Sequence, residues 1–548
     1  MQTASEVNTT MIIRKVDSKF LLSSALGALL VLELVSLTPV IAGRMRSKAQ
    51  DQKPATLSAA KRDGEDAAVA LAELINRAID ESKSASARWG VCVLSLRDGR
   101  VLYARNADKL FTPASNMKIF TTGVALDFLG GDYRWRTSVY ARSQPGADGT
   151  IDGDLVLYGR GAPDLISRTR KENNASLEQL ADDLYNHGIR RVRGNVIGDE
   201  SYFRGEPFGD GWQWTDLQWY FGAEASALSI DGNEIDLNVL PPNRVDAPPA
   251  VSMSAPDGYI AVQNRMGSVK RGERMQIGVH RGLSDNNVEV WGQFPLGEKG
   301  YGVRLAVHNP ALWAARLLVD RLKARGIVVD GQAQARNSRV AQDQRFDPAP
   351  AAELGFVVGK TLSEIVKETN KESVNLNAEL ILRTLGRERG EMIADTTSKG
   401  RERGDDEAGL ALIRLWLKRA GIPTEEIALH DGSGLSRLDL ITPESTVRFL
   451  IALSKTTAAQ AFHESLPVSG RDGTLGGRLK SLTNQVSAKT GSLTYDNALS
   501  GYLTASSGEV LVFSVMCNDQ TTRASSILLI DQIVSVLASY PNFSPQNR

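Results

Sequence analysis

The sequence has few of the residues that build disulfide scaffolds or metal sites. Its 548 residues contain two cysteines, Cys92 and Cys517, and five histidines. No H-E-x-x-H or C-x-x-C pattern occurs, so we predict neither a metal site nor a cofactor. Each cysteine lies in an apolar stretch typical of a strand, where a buried thiol is the usual structure. A bridge between them is the alternative, if their strands pair in an oxidising compartment.

The sequence also lacks an excess of charge of either sign. Its 64 Lys and Arg residues balance its 64 Asp and Glu residues, which gives a formal net charge of zero. A basic surface for nucleic acid and a polyacidic tail are therefore excluded, and no nucleic-acid partner is expected. A chain of this length exceeds one ordinary hydrophobic core, so we expect roughly two to four domains.

The N-terminal region has the composition of an export signal. Basic residues within 14–19 precede an apolar run at 20–37, and the segment 39–42 resembles a small-residue cleavage site. An uncleaved membrane anchor is the alternative, because 20–42 is long enough to span a bilayer and further basic residues follow it. We predict a signal peptide or membrane anchor over 1–43, and an exported protein in the periplasm or on the outer face of the cytoplasmic membrane.

Periodic patterns divide the rest of the chain into blocks. A polar linker is predicted at 44–65, and its S-x-x-K pattern at Ser58–Lys61 has no apolar continuation. The blocks at 66–136 and 351–548 combine helices with strands, whereas 137–350 consists mainly of short alternating strands with glycine turns. We predict an α+β fold in which the two outer blocks form one domain, an antiparallel sheet flanked by helices. A large, mostly β insertion of one or two domains splits that domain.

Several helices and strands are predicted individually from their apolar spacing. Asp98-Gly99 marks the turn of a hairpin. A cluster of aromatic residues at 212–221 is predicted to pack locally, with stacking against sugar rings as the alternative. Helices are predicted at about 66–82, 177–187, 311–326 and 526–537, and consecutive antiparallel strands at 486–489, 498–504 and 510–516.

Ser115 and Lys118 stand at the start of a predicted buried helix. Pro113 suits a first helical turn, and the apolar run at 119–126 continues the helix. Positions three apart share a helix face, so the two side chains lie next to each other. A serine becomes a nucleophile once a base takes its proton, and a lysine can be that base when burial or positive neighbours lower its pKa. By itself, the pair also fits a helix start with a solvated lysine.

Two later stretches carry complementary chemistry. Ser373 and Asn375 precede a predicted helix, where the hydroxyl can relay a proton and the amide can hold a peptide carbonyl. The stretch Lys489-Thr490-Gly491-Ser492 has a lysine and hydroxyls on a strand edge, beside a glycine that allows close backbone approach. That combination suits capture of a carboxylate. Ser284-Asp285-Asn286 lies between two predicted strands and is interpreted as a hairpin turn.

The order of these motifs, S-x-x-K, then S-x-N, then K-T-G, is that of the penicillin-binding, serine-acylating enzymes. From about residue 66 to 540 the chain resembles the class C low-molecular-mass penicillin-binding proteins. These are D-alanyl-D-alanine carboxypeptidases/endopeptidases of the penicillin-binding protein 4 type (peptidase family S13), in which a large insertion separates the first two motifs. The stretches that support the resemblance lie at 107–116, 153–155, 211–214, 431–437 and 466–475.

The sequence departs from the family pattern in two respects. The second motif reads S-V-N in place of the usual S-D-N, which keeps Ser373 and Asn375 but removes an acidic side chain. The basic N-terminus, which is not necessarily cleaved, is also unusual for the family.

The resemblance implies acyl transfer through an ester on Ser115. Lys118 would be the base, and Ser373 would carry a proton to the leaving amine under the influence of Lys489. Asn375 would hold the substrate amide. The substrates implied are peptidoglycan peptides that end in D-Ala-D-Ala, and β-lactams are the implied inhibitors because they acylate the same serine.

The resemblance also implies how the end of the substrate is bound. Lys489 and Thr490, with Gly491 and Ser492 beside them, would hold the terminal carboxylate. The backbone N–H groups of Ser115 and Ser492 would form the oxyanion hole.

Two other functions share these motifs. A serine β-lactamase has all three, but the large insertion argues against it and no E-x-x-x-N pattern is evident between the motifs. A penicillin-binding sensor or cell-wall scaffold would be acylated without turnover. The sequence leaves open the preference for carboxypeptidase or endopeptidase activity, the diamino acid of the substrate and the oligomeric state.

Overall fold

The computed structural model describes residues 55–166, 176–255, 258–339, 342–393, 397–398, 401–521 and 523–543. The predicted leader at 1–43 lies outside these residues. The structure has a helix from Ala55 onward, where the sequence predicts a linker as far as residue 65. Alanine and lysine are strong helix formers, so they extend this helix upstream of its apolar face. Among the described residues, no helix is both long enough and apolar enough to cross a bilayer.

The α-helices and strands have the following bounds. The described helices are α1 (Ala55–Asp80), α2 (Met117–Leu129), α3 (Ser176–Asn186), α4 (Pro310–Ala324), α5 (Leu362–Glu372), α6 (Asn375–Arg389), α7 (Asp405–Arg419), α8 (Pro443–Leu453), α9 (Ala459–Ser465) and α10 (Arg523–Ala538). The described strands are β1 (Arg88–Ser95), β2 (Val101–Arg105), β3 (Arg134–Ala141), β4 (Thr150–Ile151), β5 (Leu155–Tyr158), β6 (Arg191–Val192), β7 (Val196–Asp199), β8 (Glu234–Leu240), β9 (Ala250–Met253), β10 (Ala261–Val269), β11 (Gln276–Arg281), β12 (Asn287–Pro295), β13 (Tyr301–Ala306), β14 (Val328–Val329), β15 (Ala333–Arg336), β16 (Ala352–Thr361), β17 (Thr397–Ser398), β18 (Arg401–Glu402), β19 (Val486–Leu493), β20 (Asp496–Thr504) and β21 (Val510–Asn518).

The two outer blocks of the chain build one five-stranded antiparallel sheet, in the order β19-β20-β21-β1-β2. Strand β1 pairs along its whole length with β21, from Arg88 opposite Asn518 to Ser95 opposite Leu511. One face of the sheet packs against α2 and α5 to α9, and the other packs against α1 and α10. The predicted hairpin, the three consecutive late strands and the closing helix are all confirmed.

The two cysteines lie on neighbouring strands but on opposite faces of this sheet. Cys92 is opposite Ser514, and Cys517 is opposite Trp89. Side chains alternate between faces along a strand, so a cysteine three residues beyond Ser514 points away from Cys92. Cys92 packs in the core on the α8 side of the sheet, whereas Cys517 packs in the core beneath α1 and α10. Both thiols are free, and the alternative of a bridge between them is wrong.

The inserted block contains a second five-stranded sheet, in the order β15-β7-β5-β3-β16, with α3 and α4 packed in its core. Three further sheets of three strands each belong to it, namely β14-β6-β4, β13-β8-β9 and β10-β12-β11. Strand β3, where the chain enters the block, pairs antiparallel with β16, where the chain leaves it. Residues 352–361 therefore belong to the sheet of the insertion, although the sequence predicts them in the outer block. We propose that the insertion runs from β3 to β16.

Candidate active site

Ser115 lies in a tight turn that leads into α2. Residues Ala114–Asn116 form this 3-10 turn. A Cβ on Gly434 would lie 1.8 Å from a backbone carbonyl oxygen of the turn, and a Cβ on Gly491 would lie 2.5 Å from the carbonyl oxygen of Pro113. A side chain is therefore excluded at both glycines. Because neither glycine has a side chain, the loop before α8 and the edge strand β19 can pack directly against the backbone just before Ser115.

Lys118 is fully buried one helical turn after Ser115. Its Nζ lies 3.0 Å from Ser115 Oγ, 2.6 Å from Asn375 Oδ1 and 2.7 Å from the carbonyl oxygen of Ser433. The amide of Asn375 is oriented by its Nδ2, which donates to the carbonyl oxygen of Phe221 at 2.9 Å. Phe221 belongs to the inserted block, so the insertion helps to orient a side chain that contacts the lysine.

Lys489 is the second fully buried lysine of the site, and it lies on the edge strand β19. Its Nζ donates to Ser373 Oγ at 2.9 Å and to the carbonyl oxygen of Thr490 at 3.0 Å. Ser373 ends α5 with a left-handed backbone, at a φ of 60°. That conformation is uncommon for a residue with a side chain, and it ends α5 two residues before α6 begins at Asn375.

Burial lowers the pKa of both lysines. Burial lowers the pKa of Lys118 to about 7, although the carboxylates of Asp431 and Glu379 oppose that effect. Burial also lowers the pKa of Lys489 well below its ordinary value, and the positive charge of Lys118 adds to this. A buried amine that has lost its proton can accept one from a hydroxyl group.

A cavity of about 600 Å³ opens above these groups. Its lining includes Ser115, Ser373 and Asn375, together with Thr490 and Ser492 from the edge strand. Lys118 and Lys489 lie beneath it, and Gly491 is pressed against the turn that carries Ser115. The structure therefore brings together all eight residues that the sequence predicts for the site. The insertion contributes Gln213, Asp216, Tyr220 and Phe221 to the same cavity.

The family of the chain follows from comparison with known proteins. A family model described as the D-Ala-D-Ala carboxypeptidase 3 (S13) family matches residues 71–540. The chain belongs to this family. A D-alanyl-D-alanine carboxypeptidase from Actinomadura sp. (strain R39) is 31% identical to this S13 chain over 482 residues, which are 86% of this chain and 85% of the relative.

Solved structures agree with the fold of this S13 chain. The crystal structure of penicillin binding protein 4 (dacB) from Haemophilus influenzae matches it with a TM-score of 0.71 at 24% identity, and covers 85% of this chain and 99% of that one. A second crystal structure of that protein, complexed with a β-lactam, gives a TM-score of 0.66. The predicted family, the α+β penicillin-binding-protein fold and the class of serine D-Ala-D-Ala carboxypeptidase are confirmed.

Sequence reasoning missed two parts of this S13 site. One is the backbone of the inserted block at Phe221, whose carbonyl oxygen orients Asn375. The other is Glu379, a fully buried carboxylate on α6 that forms an ion pair with Arg383 at 2.8 Å. A sequence signal for Glu379 was available, since a Glu and an Arg stand four residues apart within the mainly apolar stretch 376–385.

Two other sequence patterns have structural roles outside the reacting groups. Ser284-Asp285-Asn286 forms the turn between β11 and β12, where Asp285 Oδ1 accepts a hydrogen bond from the backbone N–H of Asn287 at 2.8 Å, so the predicted turn is confirmed. Within the aromatic cluster, Trp212 Nε1 donates to Asp431 Oδ2 at 2.8 Å. This bond joins the insertion to the loop whose Ser433 carbonyl contacts Lys118.

Proposed function

We propose that this S13 carboxypeptidase removes the terminal D-alanine from peptidoglycan peptides that end in D-Ala-D-Ala, by way of an ester on Ser115. The observation that carries the proposal is the contact between Ser115 Oγ and the buried amine of Lys118, at 3.0 Å. β-Lactams are proposed to acylate the same serine. The β-lactam complex of the Haemophilus influenzae relative supports this second statement.

Lys118 is proposed to act as the general base. A neutral lysine has two N–H groups and one lone pair, and two of its three neighbours, Asn375 Oδ1 and the Ser433 carbonyl, can only accept hydrogen bonds. The two N–H groups are therefore used by these acceptors, and the lone pair is left to accept the proton of Ser115. General acid-base catalysis of this kind contributes about 10²- to 10⁴-fold to a rate.

The steps after proton transfer involve Ser373 and Ser492, which line the cavity. As Ser115 Oγ bonds to the carbonyl carbon, the backbone N–H groups of Ser115 and Ser492 stabilise the oxyanion, each worth roughly 3 to 4 kcal/mol. The bond to the leaving amine then breaks, and the proton that Lys118 took from Ser115 passes by way of Ser373 to the nitrogen of the departing D-alanine, which leaves Lys118 neutral again. A water molecule finally hydrolyses the ester and releases Ser115.

Lys489 is proposed to bind the free carboxylate of the substrate, together with Thr490 and Ser492, with Gly491 allowing the close approach. Among the residues that the structure describes, Lys489 Nζ has two acceptors, so one N–H of its ammonium is left for the substrate. A substrate carboxylate would also restore the proton that burial disfavours. The side of the pocket that holds Lys489 therefore suits recognition of a negative charge.

We further propose that the protein is exported and reaches its substrate in the periplasm or on the outer face of the cytoplasmic membrane, where an uncleaved leader would attach it to the membrane. The apolar run at 20–37 with its basic flanks supports this. Fractionation of producing cells, with the N-terminus of the mature protein identified by mass spectrometry, tests export and cleavage together. Recovery in the cytoplasmic fraction with residues 1–43 intact would contradict the proposal.

Release of D-alanine from a peptide ending in D-Ala-D-Ala tests the proposed function. We expect the full-length protein to release it and Ser115→Ala to abolish release with an unchanged Tm. Ser58→Ala, which removes the serine of the other S-x-x-K pattern, is the matched control and should keep full activity. Labelling by a fluorescent penicillin without release of D-alanine would instead indicate a sensor. Rapid hydrolysis of a chromogenic cephalosporin would indicate a β-lactamase.

A further inference from the structure

The carbonyl group of Ser433 is held in place by side chains that do not reach the cavity. Its oxygen accepts a hydrogen bond from Lys118 Nζ at 2.7 Å. Glu379 Oε1 accepts hydrogen bonds from the backbone N–H groups of Gly432 and Ser433, both at 2.9 Å. Thr121 Oγ1 donates to the carbonyl oxygen of Gly432 at 2.7 Å. Glu379 and Thr121 therefore fix the two peptide units that lead into Ser433. The peptide unit that carries the Ser433 carbonyl is itself held at its N–H, because the backbone N–H of Gly434 donates to Asp431 Oδ1 at 2.6 Å.

Helix α6 contacts the lysine twice, once directly and once through this loop. Asn375 and Glu379 stand four residues apart and so share one face of the helix. Asn375 bonds to Lys118 itself, whereas Glu379 bonds to the backbone N–H of Ser433, the residue whose carbonyl oxygen is the second acceptor. The loop lies directly on the helix, since a Cβ on Gly432 would be 2.9 Å from the carbonyl oxygen of Ala378. Such a close approach leaves little freedom for the loop to shift.

We propose that Glu379 is a positioning residue for Lys118, and that it acts by fixing the Ser433 carbonyl, with Thr121 as a second anchor of the same loop. This inference rests on the proposed role of Lys118 as the base. Without the anchors, the carbonyl would no longer direct one N–H of the neutral amine away from Ser115. The lone pair would then be misaligned for proton transfer, although Ser115, Lys118 and Asn375 would all still be present.

The charges around Lys118 and Glu379 predict how the loss of Glu379 would change the pH dependence of acylation. Lys489, Asp431 and Glu379 face Lys118, and both carboxylates raise the pKa of Lys118 against the effect of burial. The titratable and charged groups near Glu379 are Asp431 and Arg383, with Asp405 and Asp406 beyond the arginine and Asp439 against Asp431. Burial and the neighbouring Asp431 raise the pKa of Glu379, whereas the ion pair with Arg383 lowers it. Removing the charge of Glu379 should therefore lower the pKa of Lys118 further. The rate should fall while its acid limb moves to lower pH, which general damage to the fold would not produce.

The test measures the second-order rate constant of acylation by a fluorescent penicillin, from about pH 5 to pH 9, on full-length protein. For Glu379→Gln we expect a plateau about tenfold lower, with the acid limb shifted to lower pH. For Thr121→Val, which loses one neutral hydrogen bond, we expect a plateau about threefold to fivefold lower and an unmoved limb. Asp199→Asn is the matched control. Asp199 is likewise a fully buried carboxylate paired with an arginine, Arg336, but it lies on β7 of the insertion, so the variant should be acylated within about twofold of the wild-type rate.

Each outcome decides the inference. A folded Glu379→Gln protein with the wild-type rate and pH profile overturns it. If Glu379→Gln does not fold, Thr121→Val decides, and a wild-type rate in that variant overturns the inference. Failure of the proposed function is distinguishable, because the wild-type protein would then not be acylated, or Ser115→Ala would be acylated equally well. A wild-type protein that reacts through Ser115, together with normal anchor variants, would contradict the role of Glu379 alone.

Discussion

The two sides of the cavity each contain a fully buried lysine, but their surroundings differ. The Nζ of Lys118 has three oxygen neighbours, and the carboxylates of Asp431 and Glu379 act on it from behind. Lys489 donates to Ser373 and to its neighbouring carbonyl, and its pKa is lowered by burial and by the charge of Lys118. The amine of Lys118 is thus surrounded by fixed acceptors. In the part of the chain that the structure describes, the ammonium of Lys489 has two acceptors for its three N–H groups, so one N–H is left for a ligand.

This difference accounts for two roles of one residue type. Fixed acceptors orient the lone pair of Lys118, and the nearby carboxylates keep its pKa close to 7, where a base works best at neutral pH. Lys489 has a strongly disfavoured positive charge until an anion arrives. A substrate carboxylate supplies that anion, so the second lysine is suited to recognition and the first to proton transfer.

The largest effect is expected from Lys118→Met, which keeps the volume of the side chain and removes the base. Acylation by penicillin and release of D-alanine should both fall by about 10³-fold or more, because no other group described around Ser115 is oriented to take its proton. Stopped-flow acylation and a D-alanine assay measure the two rates. If the acylation rate fell equally in Lys118→Met and Lys489→Gln, the two lysines would not have the different roles proposed for them.

A smaller and more selective effect is expected from Lys489→Gln. Loss of a charge-assisted hydrogen bond costs about 3 kcal/mol, so kcat/KM for a peptide with a free terminal carboxylate should fall by about 10²-fold. The same peptide with an amidated C-terminus is the control, and its slower hydrolysis should change much less. The ratio of the two kcat/KM values measures recognition of the carboxylate. A ratio that stays at its wild-type value would show that Lys489 does not recognise the terminal carboxylate.

Much of this site could be predicted because its reacting residues lie in short local patterns. Each pattern spans only a few residues: a serine and a lysine three apart on an apolar helix, and a lysine two residues before a glycine on a strand. The order of the motifs then supplied the family resemblance. The sheet was equally accessible, since β19, β20 and β21 are consecutive and pair with their neighbours in the chain.

What could not be predicted depends on contacts between distant segments. The carbonyl of Phe221 carries no sequence signal, because any residue has a backbone oxygen. Glu379 meets Gly432 and Ser433 across more than fifty residues, as the hydrogen bonds show. The face on which each cysteine lies follows from the register of β1 against β21, and a shift of one residue would reverse it. The pairing of β3 with β16 is likewise a long-range contact that periodicity does not reveal.

The smallest effect concerns pH and refines the comparison between the lysines. The active form of Lys118 is the neutral amine, and burial lowers its pKa to about 7. As the pH falls through about 7, the amine gains a proton and loses the lone pair that accepts the proton of Ser115. The acylation rate should therefore be level above this pH and fall about tenfold for each unit below it. A neutral chromogenic ester used in single-turnover experiments reports this limb without titrating itself.

The same profile in Lys489→Gln assigns the limb to one of the two amines. Because Lys118 and the groups that shift its pKa, Asp431 and Glu379, are unchanged in that variant, the limb should persist near the same pH. If the limb instead vanished with Lys489, the titrating group would be the lysine on the edge strand, and the base would have been placed on the wrong side of the cavity. Persistence of the limb in Lys489→Gln, combined with the loss of rate in Lys118→Met, would leave proton transfer on the α2 side and carboxylate recognition on the β19 side.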